Sequence, residues 1–137
     1  MFRILGIDYG LKRIGLSLSD LLQITASPFK TIFNTDTKVE EITDIINSQN
    51  VQYIVIGKPD QTKSNTEFMD SLNIFAEDLS KISSLNYEYW DESYSSKKAF
   101  NKMIESGKKK KFRRKKTNLD AFAAAEILTD YLNYREK

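Results

Sequence analysis

Apolar and polar positions along this chain follow two different periods, and the change between them divides the sequence. Ile4 to Ile7 form a short apolar run closed by Asp8 and Gly10, the pattern of a buried strand with a polar tip. Ile14, Leu16 and Leu18 then alternate with Gly15, Ser17 and Ser19, the two-residue period of a half-exposed strand. Gly10 to Arg13 supply the hairpin turn between them. Ala26 to Phe33 reads as a third strand, and Pro28, which has no N–H to give a ladder, puts it at an edge or a strand start. The chain therefore opens as an antiparallel meander.

From Val39 onward the spacing becomes helical. Val39, Ile42, Ile45 and Ile46 recur along one face behind a Thr37/Glu40 capping-box pattern. Tyr53 to Ile56 is an unbroken apolar run closed by Gly57 and Pro59, as in a strand buried on both faces. A second helix carries Phe68, Leu72, Phe75, Leu79 and Ile82 on one stripe, with Ser64 and Glu67 spaced as its capping box. Tyr87, Tyr89 and Trp90 mark a further strand ending at Asp91 and Glu92. Ala99, Phe100, Met103 and Ile104 mark a third helix stopped by Gly107. Thr117 or Asn118 is placed to cap a last helix running to about Asn133, whose Ala123–Ala125 run would let it approach a sheet closely. The order β-β-β-α-β-α-β-α-α predicts an α/β fold, one mixed five-stranded sheet with helices packed on it. No repeat or linker interrupts it, so residues 1–137 are expected to form a single domain.

Charge changes this picture in one place. The formal net charge is only +2, yet residues 108–116 read KKKKFRRKK: Lys108, Lys109, Lys110, Lys111, Arg113, Arg114, Lys115 and Lys116 around Phe112. Outside that run 13 Lys and Arg face 19 Asp and Glu, a body at −6. The chain has neither histidine nor cysteine. Ser-His-Asp and Cys-His nucleophilic machinery and the usual zinc sites are thereby excluded, and carboxylates, hydroxyls, lysines and hard cations such as Mg²⁺ or Mn²⁺ remain as tools. No apolar stretch approaches the roughly 20 residues of a spanning helix, so a cytoplasmic protein is expected.

Acids fall where such tools would be used. Asp8 closes the first strand, Asp91 and Glu92 close the last, and Asp120 opens the final helix. Carboxyl ends of parallel strands commonly form the ligand crevice. Carboxylates gathered there repel unless a cation joins them, and bound divalent cations would suit phosphodiester hydrolysis. The plainer alternative is that each acid is solvated at its element end, Asp120 as a first-turn acid complementing its own helix dipole. The basic run likewise reads either as a solvated loop or, lying directly before Asp120, as a guide for a phosphate backbone with Phe112 stacked on a base.

These residues also resemble a known family. The opening Ile-Leu-Gly-Ile-Asp-Tyr-Gly-Leu-Lys-Arg-Ile-Gly is followed by Ser19-Asp20, Ala26-Ser27-Pro28, Val55-Ile56-Gly57-Lys58-Pro59, Asp91-Glu92 and Asp120-Ala121-Phe122-Ala123-Ala124. In order and spacing this is similar to the YqgF/RuvX family of RNase H-fold proteins, relatives of Holliday-junction resolvases. The resemblance implies an RNase H-like domain and a cytoplasmic nuclease that matures the 5′ end of pre-16S ribosomal RNA. It implies that Asp8, Glu92 and Asp120 bind one or two Mg²⁺ or Mn²⁺ ions and activate water, and that Lys12 and Arg13 contact backbone phosphates. The chain departs from the family pattern in two places. Ser93 stands where an arginine usually follows the Asp-Glu pair, and Asp60–Ser64 lacks the glycines expected after Pro59.

Two further functions stay open on the residues. A non-catalytic RNA-binding ribosome-assembly factor would need only the basic run. A nucleotide-dependent phosphotransferase is suggested by the likeness of Asp8–Gly15 to the first phosphate loop of the actin and sugar-kinase fold.

Overall fold

The computed structural model describes residues 1–59, 65–91 and 116–135, with side chains in the last stretch described from residue 119. Five strands, β1 (Arg3–Tyr9), β2 (Arg13–Ser19), β3 (Ala26–Phe33), β4 (Val51–Lys58) and β5 (Tyr87–Asp91), form one sheet in the order β3-β2-β1-β4-β5. The β1–β2 and β2–β3 pairs are antiparallel, whereas β4 and β5 run parallel to β1. This is the mixed sheet with an N-terminal meander that the periodicity predicts. Pro28 lies on the edge strand, as its missing donor requires. The β2–β3 register slips between Leu16 and Ser17, whose partners are Lys30 and Pro28, leaving Phe29 as the bulged residue.

Two cores lie on opposite faces of the sheet. Leu5, Ile7, Ile14, Leu16, Ile54 and Ile56 pack against α1 (Lys38–Ser48) and α2 (Thr66–Ser83) through Val39, Ile42, Leu72, Phe75 and Leu79. Ile4 and Val55, one step out of phase, pack against α3 (Lys116–Arg135) through Ile127, Leu128, Tyr131 and Leu132. The unbroken apolar run of β4 thus divides between both cores, which is why it shows no alternation.

Helix α3 lies unusually close to the sheet. A Cβ on Gly6 would stand 2.8 Å from the Leu128 Cβ and 3.1 Å from the Ala124 carbonyl oxygen. Buried Ser17 fills the adjacent space and donates to that carbonyl at 2.8 Å. Ala121, Ala123, Ala124 and Ala125 are all buried along the contact, the role expected of the alanine run.

The helix starts differ from the sequence expectations. Thr37 precedes α1 without a side-chain cap bond, and its hydroxyl instead donates to the Glu41 carboxylate at 3.0 Å. Asn65 caps α2, its Oδ1 accepting from the Phe68 N–H at 2.7 Å, so the cap falls one residue after Ser64. Its stripe is buried at Leu72, Phe75 and Leu79, but Ile82 in the last turn is 54% exposed. Helix α3 already begins at Lys116, so Thr117 and Asn118 lie inside it rather than capping it. A residue that favours a cap is still tolerated in a helix, and spacing alone does not separate the two positions. The expected helix at Ala99–Gly107 lies outside the described residues.

Candidate functional site

Strand alternation decides which face each acid uses. Ile4 and Gly6 face α3, so Asp8, two further on in β1, belongs to the same face. Its partner across the β1–β2 ladder is Gly15. Asp8 is half-buried, one residue before the end of the central strand.

Asp120 reaches that place from the other layer. A Cβ on Gly15 would fall onto the Asp120 backbone carbonyl and within 3.0 Å of the Ala121 nitrogen. Gly15 is thus the seat on which the second turn of α3 rests, directly beside Asp8 in the ladder. Asp120 is the fifth residue of α3, and no acid occupies the first turn. The reading of Asp120 as a first-turn acid serving its own helix dipole is corrected accordingly. The side chain points instead to the sheet, where its Oδ2 accepts from Arg13 Nε at 2.7 Å, both side chains about one quarter exposed. Arg13, expected on phosphate, therefore has a carboxylate partner. Lys12 is exposed in the turn, and its backbone carbonyl accepts from the Asn34 N–H at 2.9 Å.

The last strand, β5, ends with Asp91 at the same edge of the sheet. Lys58 and Asp91 pair at the carboxyl ends of β4 and β5, on the side where β1 ends after Asp8. Glu92 follows Asp91 in the chain and lies outside the described residues, as do Asp60–Ser64, Ser93 and basic residues 108–115; the side chain of Lys116 is likewise not described. Among the described residues no three Asp, Glu, His or Cys side chains gather into a possible metal site. Two carboxylates on one face, with no nitrogen or sulfur ligand in the chain, fit a hard divalent cation in donor chemistry. They would be part of a donor set completed by other oxygens.

Two features were not legible beforehand. Glu88, between Tyr87 and Tyr89 in β5, faces α3 and accepts from the Tyr53 hydroxyl and, at 3.3 Å, from the Tyr131 hydroxyl. Burial, with the Glu88 carboxylate beside them, pushes both phenols above their ordinary value. The alternation of Glu88 and Trp90 against Tyr87 and Tyr89 was the available signal. Asp20, at the end of β2, accepts from the Thr25 and Ile24 N–H groups at 2.9 and 2.7 Å. Those bonds, Thr25 first, hold its carboxyl below the usual value.

Comparison with known proteins gives a consistent picture. A family model described as "RuvX: Holliday junction resolvase" matches residues 2–134. A protein of Amoebophilus asiaticus named "Putative pre-16S rRNA nuclease" is 41% identical over 135 residues, covering 97% of this chain and 95% of the relative. One of the same name from Flavobacterium psychrophilum is 38% identical over 136 residues, covering 96% and 97%. Among solved structures, T. thermophilus RuvC in complex with a Holliday junction substrate superposes with a TM-score of 0.63 at 14% identity, over 99% of this chain and 96% of that one. The Fowlpox virus resolvase bound to Holliday junction DNA gives a TM-score of 0.62 at 14% identity, over 99% and 100%. These two likenesses establish the fold: an RNase H-like sheet. Among the described residues no helix is long and apolar enough to cross a membrane.

Proposed function

This chain belongs to the RuvX Holliday junction resolvase family, and from that premise we propose that it is a divalent-metal-dependent nuclease that trims the 5′ end of pre-16S ribosomal RNA in the cytoplasm. The observation that supports the chemistry is that Asp8, the ladder partner of Gly15, and Asp120, whose backbone rests on Gly15, both adjoin that glycine near the edge where β5 ends at Asp91. Asp8, Asp120 and Glu92 are the carboxylates that would hold Mg²⁺ or Mn²⁺. Such ions supply the charge that lowers the pKa of water and stabilises the leaving oxygen in phosphodiester hydrolysis.

The chain's own residues divide the remaining work. Arg13 fixes the Asp120 carboxylate through one oxygen, and the close seat of α3 on Gly15 fixes its backbone. Lys12 and the cations at 108–116 give sequence-independent contacts to the phosphate backbone. No histidine is needed, which agrees with its absence from the chain. The description of the matching family supports branched DNA as a second substrate class.

The test is cleavage of a 5′-extended 16S leader RNA and of a four-way DNA junction with Mg²⁺ or Mn²⁺. The wild-type protein is expected to cut the RNA, and Asp8→Asn to lose cutting while keeping its fold and its RNA affinity. Equal cutting by both proteins, in preparations free of contaminating nuclease, overturns the proposal. RNA binding with no cutting under any metal identifies a non-catalytic assembly factor instead.

A further inference from the structure

A second feature on the α3 face of the sheet has the chemistry to hold an unpaired base. Glu88 and Trp90 of β5 and Tyr131, Tyr134 and Arg135 of α3 line a cavity of about 490 Å³. Its walls are aromatic: Trp90 meets Tyr131 edge-on at 5.7 Å between centroids and lies tilted against Tyr134 at 5.1 Å. The Arg135 guanidinium stands 5.8 Å from the Tyr131 ring centre. It is held there by the Gln23 side chain at 2.8 Å and the Gln23 carbonyl at 3.2 Å. Glu88 gives the cavity one acceptor, itself oriented by the Tyr53 and Tyr131 hydroxyls.

A hydrophobic reading accounts for only part of this group. Tyr131 is buried and belongs to the core beside Ile127 and Leu128. Tyr134, in contrast, is 68% exposed at the outer wall and adds little to that core. Aromatic faces, a planar cation and a single carboxylate acceptor together are what an unpaired nucleobase uses: stacking above, and a hydrogen bond from an exocyclic amine at the edge. A double helix offers no such base, because its faces are already stacked.

We infer that the Trp90–Tyr134–Arg135 cavity is a stacking subsite for an unpaired nucleotide of the nucleic-acid substrate. The inference rests on the nuclease reading for the substrate class and adds the place where the strand is gripped. Trp90 is level with Asp8 in the sheet, separated from it by β4 alone: Gly57, its ladder partner, follows Ile56, the partner of Ile7. The gripped base would therefore lie close to the proposed metal site, because Trp90 stands two residues before Glu92 in the chain.

Trp90 is the sole tryptophan, so its fluorescence reports on this cavity directly. The experiment titrates the full-length protein, with EDTA to prevent cleavage, against a ten-nucleotide single-stranded RNA and a blunt duplex of equal length. Saturable quenching of Trp90 by the single strand is expected, with the duplex at least tenfold weaker. Tyr134→Ala should weaken single-strand binding by about tenfold or more, and Tyr134→Phe, which keeps the ring, should restore it. No quenching, equal quenching by the duplex, or unchanged affinity in Tyr134→Ala overturns the inference. Because no metal is present, these outcomes are independent of whether Asp8 and Asp120 cleave.

Discussion

The Asp120 carbonyl occupies the space where a side chain on Gly15 would begin. That contact joins the two layers of the fold at the point where Asp8 is the ladder neighbour of Gly15. It makes the spacing of two acidic residues depend on a missing methyl group.

Gly15→Ala should therefore harm site and fold together. Its new Cβ meets helix backbone, which cannot rotate away, so α3 must shift outward. Overpacking of this kind costs on the order of 1–3 kcal/mol, and the displaced Asp120 should also cost most of the cleavage. Gly6→Ala, clashing with Leu128 and Ala124 further along α3, should show a comparable stability loss with a smaller loss of activity. Urea unfolding beside cleavage rates checks this. Equal activity losses in both variants would contradict the special role of Gly15.

Arg13 offers a complementary prediction. Its bond to Asp120 is partly exposed, so Arg13→Ala should cost only about 1 kcal/mol of stability. Its effect on cleavage should be larger, about tenfold or more, because an unbraced carboxylate samples several rotamers. Arg13→Lys should restore charge without the Nε–H geometry and recover the rate only in part. Single-turnover rates with the Mg²⁺ concentration varied separate positioning from binding. A rate unchanged in Arg13→Ala would remove the bracing role.

The loop after β2 has a pH dependence of known sign. Asp20 is held below its ordinary 3.8 by the Thr25 and Ile24 N–H bonds, so folding favours its charged form. Its stabilising contribution is complete above 3.8 and is lost as pH falls through the lower folded-state value. The Ile24 and Thr25 amide resonances should titrate with a midpoint below 3.8, and Asp20→Asn should abolish that step. A midpoint at or above 3.8 would contradict the assignment.

How much of this was legible depended on whether the signal was local. The alternation at Ile14, Leu16 and Leu18, the unbroken run at Tyr53–Ile56 and the edge-seeking Pro28 each carry their own evidence, and the sheet followed from them. Helix starts were less legible: Thr37, Ser64 and Thr117 all suit a cap by type, while the choice is made by backbone geometry that neighbours impose. The Arg13–Asp120 bond spans 107 residues and has no sequence signal. Asp8 and Asp120 could be nominated from their sequence context, yet the approach of the Asp120 backbone to the ladder partner of Asp8 depends on Gly15 and the alanines of α3, small residues whose importance lies in what they leave empty. Glu88 was hidden among the aromatics of β5, because its role depends on which face of an edge strand it uses.

The most direct measurement is a double-mutant cycle on cleavage with Asp8→Asn, Asp120→Asn and both together. Residues that serve one site act as a unit, so either change alone should cost about as much as the pair. We expect each single variant to lose at least a hundredfold in single-turnover rate on the 5′-extended RNA, and the double variant to lose no more. Wild-type rates in either single variant, or losses that multiply in the double, would contradict a shared Asp8–Asp120 site.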